Sequence, residues 1–192
     1  MARFAKLPEG KSVPEHEHYV TPDAFAEWPV RHLMPHGPYH VLDAGAGSGP
    51  YGRALEKYGN TDSKLWGLDI RDIPNPGSYD FWINNTDYLT WASIKHYDVI
   101  IGNPPFSIAE QWIRRSMDLL NPGGRLILLL PINFLGSQKR LQLWRDFRPL
   151  CIVTCANRPS FFGSGTGDTV YMYIVWDKGV NRMTTWSAAL LK

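Results

Sequence analysis

The sequence predicts one α/β domain built on a doubly wound, mostly parallel sheet of seven strands that ends in an antiparallel hairpin. Three observations carry this. Short apolar runs alternate with longer amphipathic segments up to about residue 150, the pattern of strand–helix–strand units. Leu126 to Leu130 is continuously apolar instead of alternating, as in strands covered on both faces. Beyond residue 150, two strand-like segments follow each other with only a Gly/Ser-rich stretch between them.

Taken in order, residues 1–18 are polar and uneven, and read as a flexible arm. Residues 19–192 then form the single domain. Thr21 offers an N-cap and Pro22 a first helical position for a helix through Ala24, Phe25 and Trp28, which Pro29 should kink. Strands are expected at Tyr39 to Asp43, Leu65 to Ile70, Asp80 to Ile83 and Tyr97 to Gly102. A helix from Tyr51 to Tyr58 joins the first two, and a helix capped by Ser107 runs to about Leu120. Asn121-Pro122-Gly123-Gly124 stops that helix ahead of a strand at Arg125 to Leu130. A basic helix from Ser137 to Phe147 precedes the last two strands, Leu150 to Ala156 and Thr169 to Trp176.

Composition excludes several classes. With 192 residues, 44% of them hydrophobic, the chain suits one globular domain and neither a disordered nor a fibrous protein. No apolar stretch is long enough to span a bilayer, and charged residues near the start leave no secretory signal visible, so a cytoplasmic location is expected. The net charge of +2 neither demands nor excludes a nucleic-acid partner. Cys151 and Cys155 lie on one face of one strand and read as packed thiols, too few for a zinc site.

The first chemical feature is the run Val41-Leu42-Asp43-Ala44-Gly45-Ala46-Gly47-Ser48-Gly49-Pro50-Tyr51-Gly52. It follows the first strand, where open α/β sheets bind ligands, and glycines there admit close approach of backbone to a ligand. By letter, Gly47, Gly49 and Gly52 also satisfy the dinucleotide fingerprint, with Asp69 following. Asp43 argues against that reading, because a carboxylate facing the loop repels a pyrophosphate and attracts an ammonium.

Asp43, Gly45, Gly47 and Gly49 resemble the cofactor loop of the class I S-adenosylmethionine-dependent methyltransferases, whose fold is Rossmann-like. The resemblance implies that Asp69 and the adjoining Ile70 hold the ribose side of the cofactor. It also implies that Asp87 receives the adenine amino group, beside Tyr88, and that Ala44 belongs to the loop.

The second feature is Asn103-Pro104-Pro105-Phe106, after the apolar strand Asp98 to Gly102. Two prolines force an extended turn and remove two N–H donors. What remains is an acceptor-rich rim, the Asn103 side-chain oxygen and the Pro104 carbonyl, able to accept both protons of a planar amine. Phe106 offers a flat face for a heterocycle. This turn resembles the catalytic motif of amino-group methyltransferases, chiefly those that make N6-methyladenine in DNA. Ribosomal RNA methyltransferases carry the same letters, and protein-glutamine methyltransferases a variant ending in Tyr.

Tyr19-Val20-Thr21-Pro22 is similar to the N-terminal motif that closes over the cofactor in adenine-specific DNA methyltransferases. Arg158-Pro159-Ser160-Phe161-Phe162 resembles the motif whose aromatic residue packs against an extruded base, with Phe161 favoured over Phe162. A separate target-recognition domain, common in that family, finds no place in this chain, so a short or loose target is expected. Lys139, Arg140, Arg145, Arg148 and Arg158 form a basic cluster, expected on or beside the ligand side and suited to phosphate contact. Pro35 breaks the helical register between His32 and His36, and no cysteine or acid cluster accompanies that pair or His16/His18, so no metal is expected.

The resemblance therefore implies transfer of a methyl group from S-adenosylmethionine to N6 of adenine in DNA, with the base flipped into the pocket. Asn103 to Phe106 would act at the amine. Alternatives are adenine in RNA, a glutamine side chain, or a non-catalytic binding module on the same fold. Oligomeric state is not legible.

Overall fold

The computed structural model describes residues 19–158, 169–180 and 185–189. The expected arm (residues 1–18), Phe161 and Phe162 lie outside these. Helix α1 (Asp23–His32) is followed by β1 (His40–Ala44), α2 (Pro50–Tyr58), β2 (Lys64–Leu68), β3 (Phe81–Ile83) and β4 (Tyr97–Gly102). Then come α3 (Ala109–Leu119), β5 (Leu120–Pro131), α4 (Leu141–Asp146), β6 (Cys151–Cys155), β7 (Tyr171–Asp177) and β8 (Thr185–Ala189).

The strands form one sheet in the order β3-β2-β1-β4-β5-β7-β6-β8. Strands β1 to β5 pair in parallel, and β7 inserts antiparallel between β5 and β6. The seven expected strands are present, and β8 extends them by pairing in parallel with β6. Leu126 to Leu130 is wholly buried, as its unbroken apolar run requires. Asn121 to Gly124 does not separate helix from strand but forms an irregularity inside β5, where the register jumps from Tyr97↔Leu120 to Val99↔Arg125.

Helix α1 begins one residue later than expected. Pro22 occupies the cap position, and the Thr21 hydroxyl is engaged elsewhere. The helix continues through Pro29, whose missing N–H leaves the Phe25 carbonyl without a helical donor. The Tyr173 hydroxyl, from β7, donates to that carbonyl and so ties α1 to the sheet.

At the edge where the parallel strands begin, Arg125 forms two bonds to Asp177 (2.7 and 2.8 Å) and donates to the Leu33 carbonyl at 2.8 Å. Both charged side chains are mostly buried, so Arg125→Ala strands a carboxylate and a carbonyl. A loss of about 1–3 kcal/mol in urea unfolding is expected, somewhat below a fully buried pair. An unchanged midpoint would show that water replaces the guanidinium without cost.

Candidate active site

Strand order reverses between β1 and β4, which are neighbours although β2 and β3 separate them in sequence. Their carboxyl ends open a crevice at this switch point, where ligands of doubly wound sheets bind. The glycine loop leaves β1 here and the Asn-Pro-Pro-Phe turn leaves β4. A cavity of about 430 Å³ lies between them, within the range of roughly 300–1,000 Å³ usual for small-molecule sites.

The loop turns through Gly45, Gly47 and Gly49, all with positive φ (73°, 58° and 77°), a region that side chains disfavour. Its N–H groups are tied to the end of β2: Gly45 and Ala46 donate to the Leu68 carbonyl at 2.8 and 2.9 Å, and Gly47 to Asp69 Oδ2 at 2.8 Å. Gly49 and Gly52 answer to packing as well. A Cβ there would come within 2.7 Å of Pro76 and 2.5 Å of Tyr79, respectively.

Tyr19, Thr21, Gly45, Gly47, Asp69, Ile70, Asp87, Tyr88, Asn103 and Pro105, all singled out from the sequence, line the cavity. Asp69 is buried, and its carboxylate accepts four bonds: from Gly47 N, and from Arg71 N, Nε and Nη2. Burial opposes its charge, but these donors outweigh that and hold its pKa below the ordinary value. Asp87 is exposed at the bend after β3, with Oδ1 accepting the Leu89 N–H at 2.9 Å. Tyr88 is buried, its hydroxyl 2.8 Å from Ser116 Oγ and its ring 4.4 Å from that of Trp112.

Asn103 Nδ2 donates to Thr21 Oγ1 at 3.1 Å, across 82 residues of sequence. That contact accounts for the hydroxyl that does not cap α1. It also fixes the amide, whose Oδ1 is buried with no partner among the described residues. Trp112 Nε1, on a second residue of the cavity wall, is likewise without a partner. One orphan acceptor and one orphan donor thus belong to residues lining the same cavity. Buried polar groups are seldom left so unless something completes them.

Other expectations fare differently. Asp43 does not line the cavity; it is buried behind the loop, where Oδ2 accepts the Tyr79 hydroxyl at 2.5 Å and Oδ1 has no partner among the described residues. Burial pushes its pKa up to about 7, against the pull of the Tyr79 hydroxyl and with the help of the Asp69 charge. Pro22, Ala44, Gly49 and Pro104 also stand off the wall. Phe106 is buried, stacked on Tyr19 at 5.6 Å and 13° and tilted against Tyr171 at 5.9 Å. Because Phe106 opens a short 3₁₀ turn, its ring is carried inward to β7, and a base reaching it would have to replace Tyr19.

The basic cluster is split. Helix α4 returns the chain to the start of β6, so Arg145 and Arg148 reach the opposite edge, beside Trp176 and Asp177. Lys139 is exposed, and Arg158, just after β6, is exposed beyond the ligand end of the sheet. Arg140 is folded onto the Phe134 ring at 4.2 Å and donates to its carbonyl, with burial lowering its pKa. Sequence reasoning missed Arg71 and Trp112. An arginine two residues past an acidic strand end was a readable signal for the first; nothing local marked the second.

Among the described residues no three His, Cys, Asp or Glu side chains gather as a metal site, and no helix is long and apolar enough to cross a membrane. No model of a known protein family matches the chain. It is similar to a tRNA1(Val) (adenine(37)-N6)-methyltransferase of Glaesserella parasuis serovar 5, 26% identical over 48% of this chain and 51% of that protein. The chain spans about half the length of that curated relative. Among solved structures it resembles a Listeria monocytogenes chain assigned to the class I S-adenosylmethionine-dependent methyltransferases, with a TM-score of 0.71 and 17% identity over 96% of this chain and 68% of that one. It also resembles the M protein of the type I restriction enzyme EcoKI, with a TM-score of 0.65 and 16% identity over 84% of this chain and 44% of that one. The fold is that of the class I methyltransferases.

Proposed function

We propose that this chain is an S-adenosylmethionine-dependent methyltransferase acting on N6 of adenine in nucleic acid, with DNA as the first substrate. The observation that carries it is the buried Asn103 Oδ1, without a partner among the described residues, beside a cavity that the glycine loop closes on the other side. The wall suits the cofactor: Asp69 would hold the ribose hydroxyls, and Asp87 the adenine amine, with Ile70 and Tyr88 beside the ring. When bound, the cofactor supplies a methyl group made electrophilic by its sulfonium.

Asn103 Oδ1 accepts one proton of the target amine; the Pro104 carbonyl, off the cavity wall in this structure, takes the other only if the turn shifts towards the bound base. Holding both protons aims the nitrogen lone pair out of the ring plane. No strong base is required, and the protein contributes position and a preorganised acceptor. The base leaves its stack at a cost of roughly a few kcal/mol, and an aromatic contact of about 1–3 kcal/mol offsets much of it. Lys139 and Arg158 serve the phosphates, and Tyr19, backed by the buried Phe106, supplies the aromatic wall. Sequence similarity to a tRNA adenine-N6 methyltransferase favours RNA as a second reading.

The test is incubation with methyl-labelled cofactor and separate DNA, RNA and protein pools, followed by nucleoside mass spectrometry. N6-methyladenine in DNA is expected, with an affinity that falls steeply with salt. Label in RNA would transfer the reading to RNA, and label in protein would overturn it.

A further inference from the structure

We propose that Arg71 is a latch on the ribose side of the cavity, held by Asp69 until a ribose-bearing ligand displaces it. This rests on the methyltransferase reading above. A carboxylate has about four lone-pair sites, and those of Asp69 are filled: Oδ1 by Arg71 N (3.0 Å) and Nε (2.9 Å), Oδ2 by Gly47 N (2.8 Å) and Arg71 Nη2 (3.2 Å). Two of the four donors are main-chain groups of the strand end and the glycine loop, which cannot leave without unmaking the site. The other two belong to one side chain, which is 28% exposed against 5% for the Asp69 side chain. A pair of vicinal hydroxyls donating to Asp69 therefore takes the places of Nε and Nη2. Both residues line the cavity, so the exchange happens inside it.

Two consequences follow. Ligand binding in the parent carries the cost of breaking a charge-assisted pair, so the carboxylate is not simply an open acceptor. The displaced guanidinium is a cation at the cavity wall, free to meet a phosphate of the nucleic acid. Cofactor and nucleic acid then favour each other's binding, and the coupling is reciprocal.

Calorimetry with S-adenosylhomocysteine on the parent, Arg71→Met and Arg71→Lys tests this without turnover. Arg71→Met, which keeps the backbone bond and most of the volume, is expected to bind about two- to fivefold tighter, the size of a partly exposed pair. Arg71→Lys, able to keep one bond, should fall between. In the parent, S-adenosylhomocysteine should also tighten binding of a short duplex, and Arg71→Met should lose that gain. Equal or weaker S-adenosylhomocysteine binding by a folded Arg71→Met would overturn the latch alone, making Arg71 a support for the carboxylate. No binding by either parent or variants would overturn the methyltransferase reading and the latch together.

Discussion

Replacing Asn103 with Ala is expected to lower the rate of methyl transfer by roughly 10²–10³ at saturating cofactor, the scale seen when one preorganised polar partner is removed from an active site. Among the described residues no group completes the Asn103 Oδ1 acceptor, so under the proposed function its benefit appears when the target amine arrives and begins to gain positive charge. Affinity for S-adenosylhomocysteine should change by less than about twofold, because Asn103 stands at the end of β4 while Asp69, the proposed ribose acceptor, stands at the end of β2. Single-turnover rates and calorimetry on the same samples separate the two effects. Thr21 loses its donor in this variant, so its own contribution is included in the measured loss. Transfer at the parent rate by Asn103→Ala would make the turn structural and remove the amine-methylation reading.

Much of this site was readable because strand ends are fixed by simple rules. Alternation and apolar runs locate β1, β2 and β4, and parallel topology then brings Gly45, Asp69 and Asn103 to one crevice. Residues whose fate depends on distant partners were not readable. Asp43 sits at a strand end like Asp69, yet Tyr79, 36 residues away, takes its carboxylate and removes it from the cavity. Phe106 adjoins the turn correctly but is rotated inward by the 3₁₀ turn it begins, against a tyrosine 65 residues later in the chain. Thr185–Ala189 alternates too weakly to announce a strand, and only pairing with β6 makes it one. The division of the basic cluster was deducible, since a crossover helix must end where the next parallel strand begins.

The carboxyl of Asp43 should make the protein less stable as pH rises from about 4 to 7. Its pKa is pushed up to about 7 in the folded chain from 3.8. Below the lower value both states hold the proton and the residue contributes nothing. Between the two values the unfolded chain releases the proton while the folded chain keeps it, so stability falls with pH, and above about 7 the loss is complete. The interval corresponds to at most about 4 kcal/mol, and relaxation around the group brings the expected loss to about 2–4 kcal/mol. Tyr79 and Asp69 are the groups that act on it, the hydroxyl favouring charge and the carboxylate opposing it, and Tyr51 feels its charge in turn. Asp69, Asp80 and Asp146 have lowered pKa values and act in the opposite sense, losing their stabilisation as pH falls below the ordinary carboxylate range. Their window therefore lies below that of Asp43. Urea unfolding of parent and Asp43→Asn at pH 5 and pH 8 isolates the effect, because the tyrosines that Asp43 shifts, Tyr51 and Tyr79, titrate above that range. The parent should lose more stability than Asp43→Asn between those two values. Equal losses would mean that Asp43 is ionised in the folded protein without penalty, and that its second oxygen finds a partner after all.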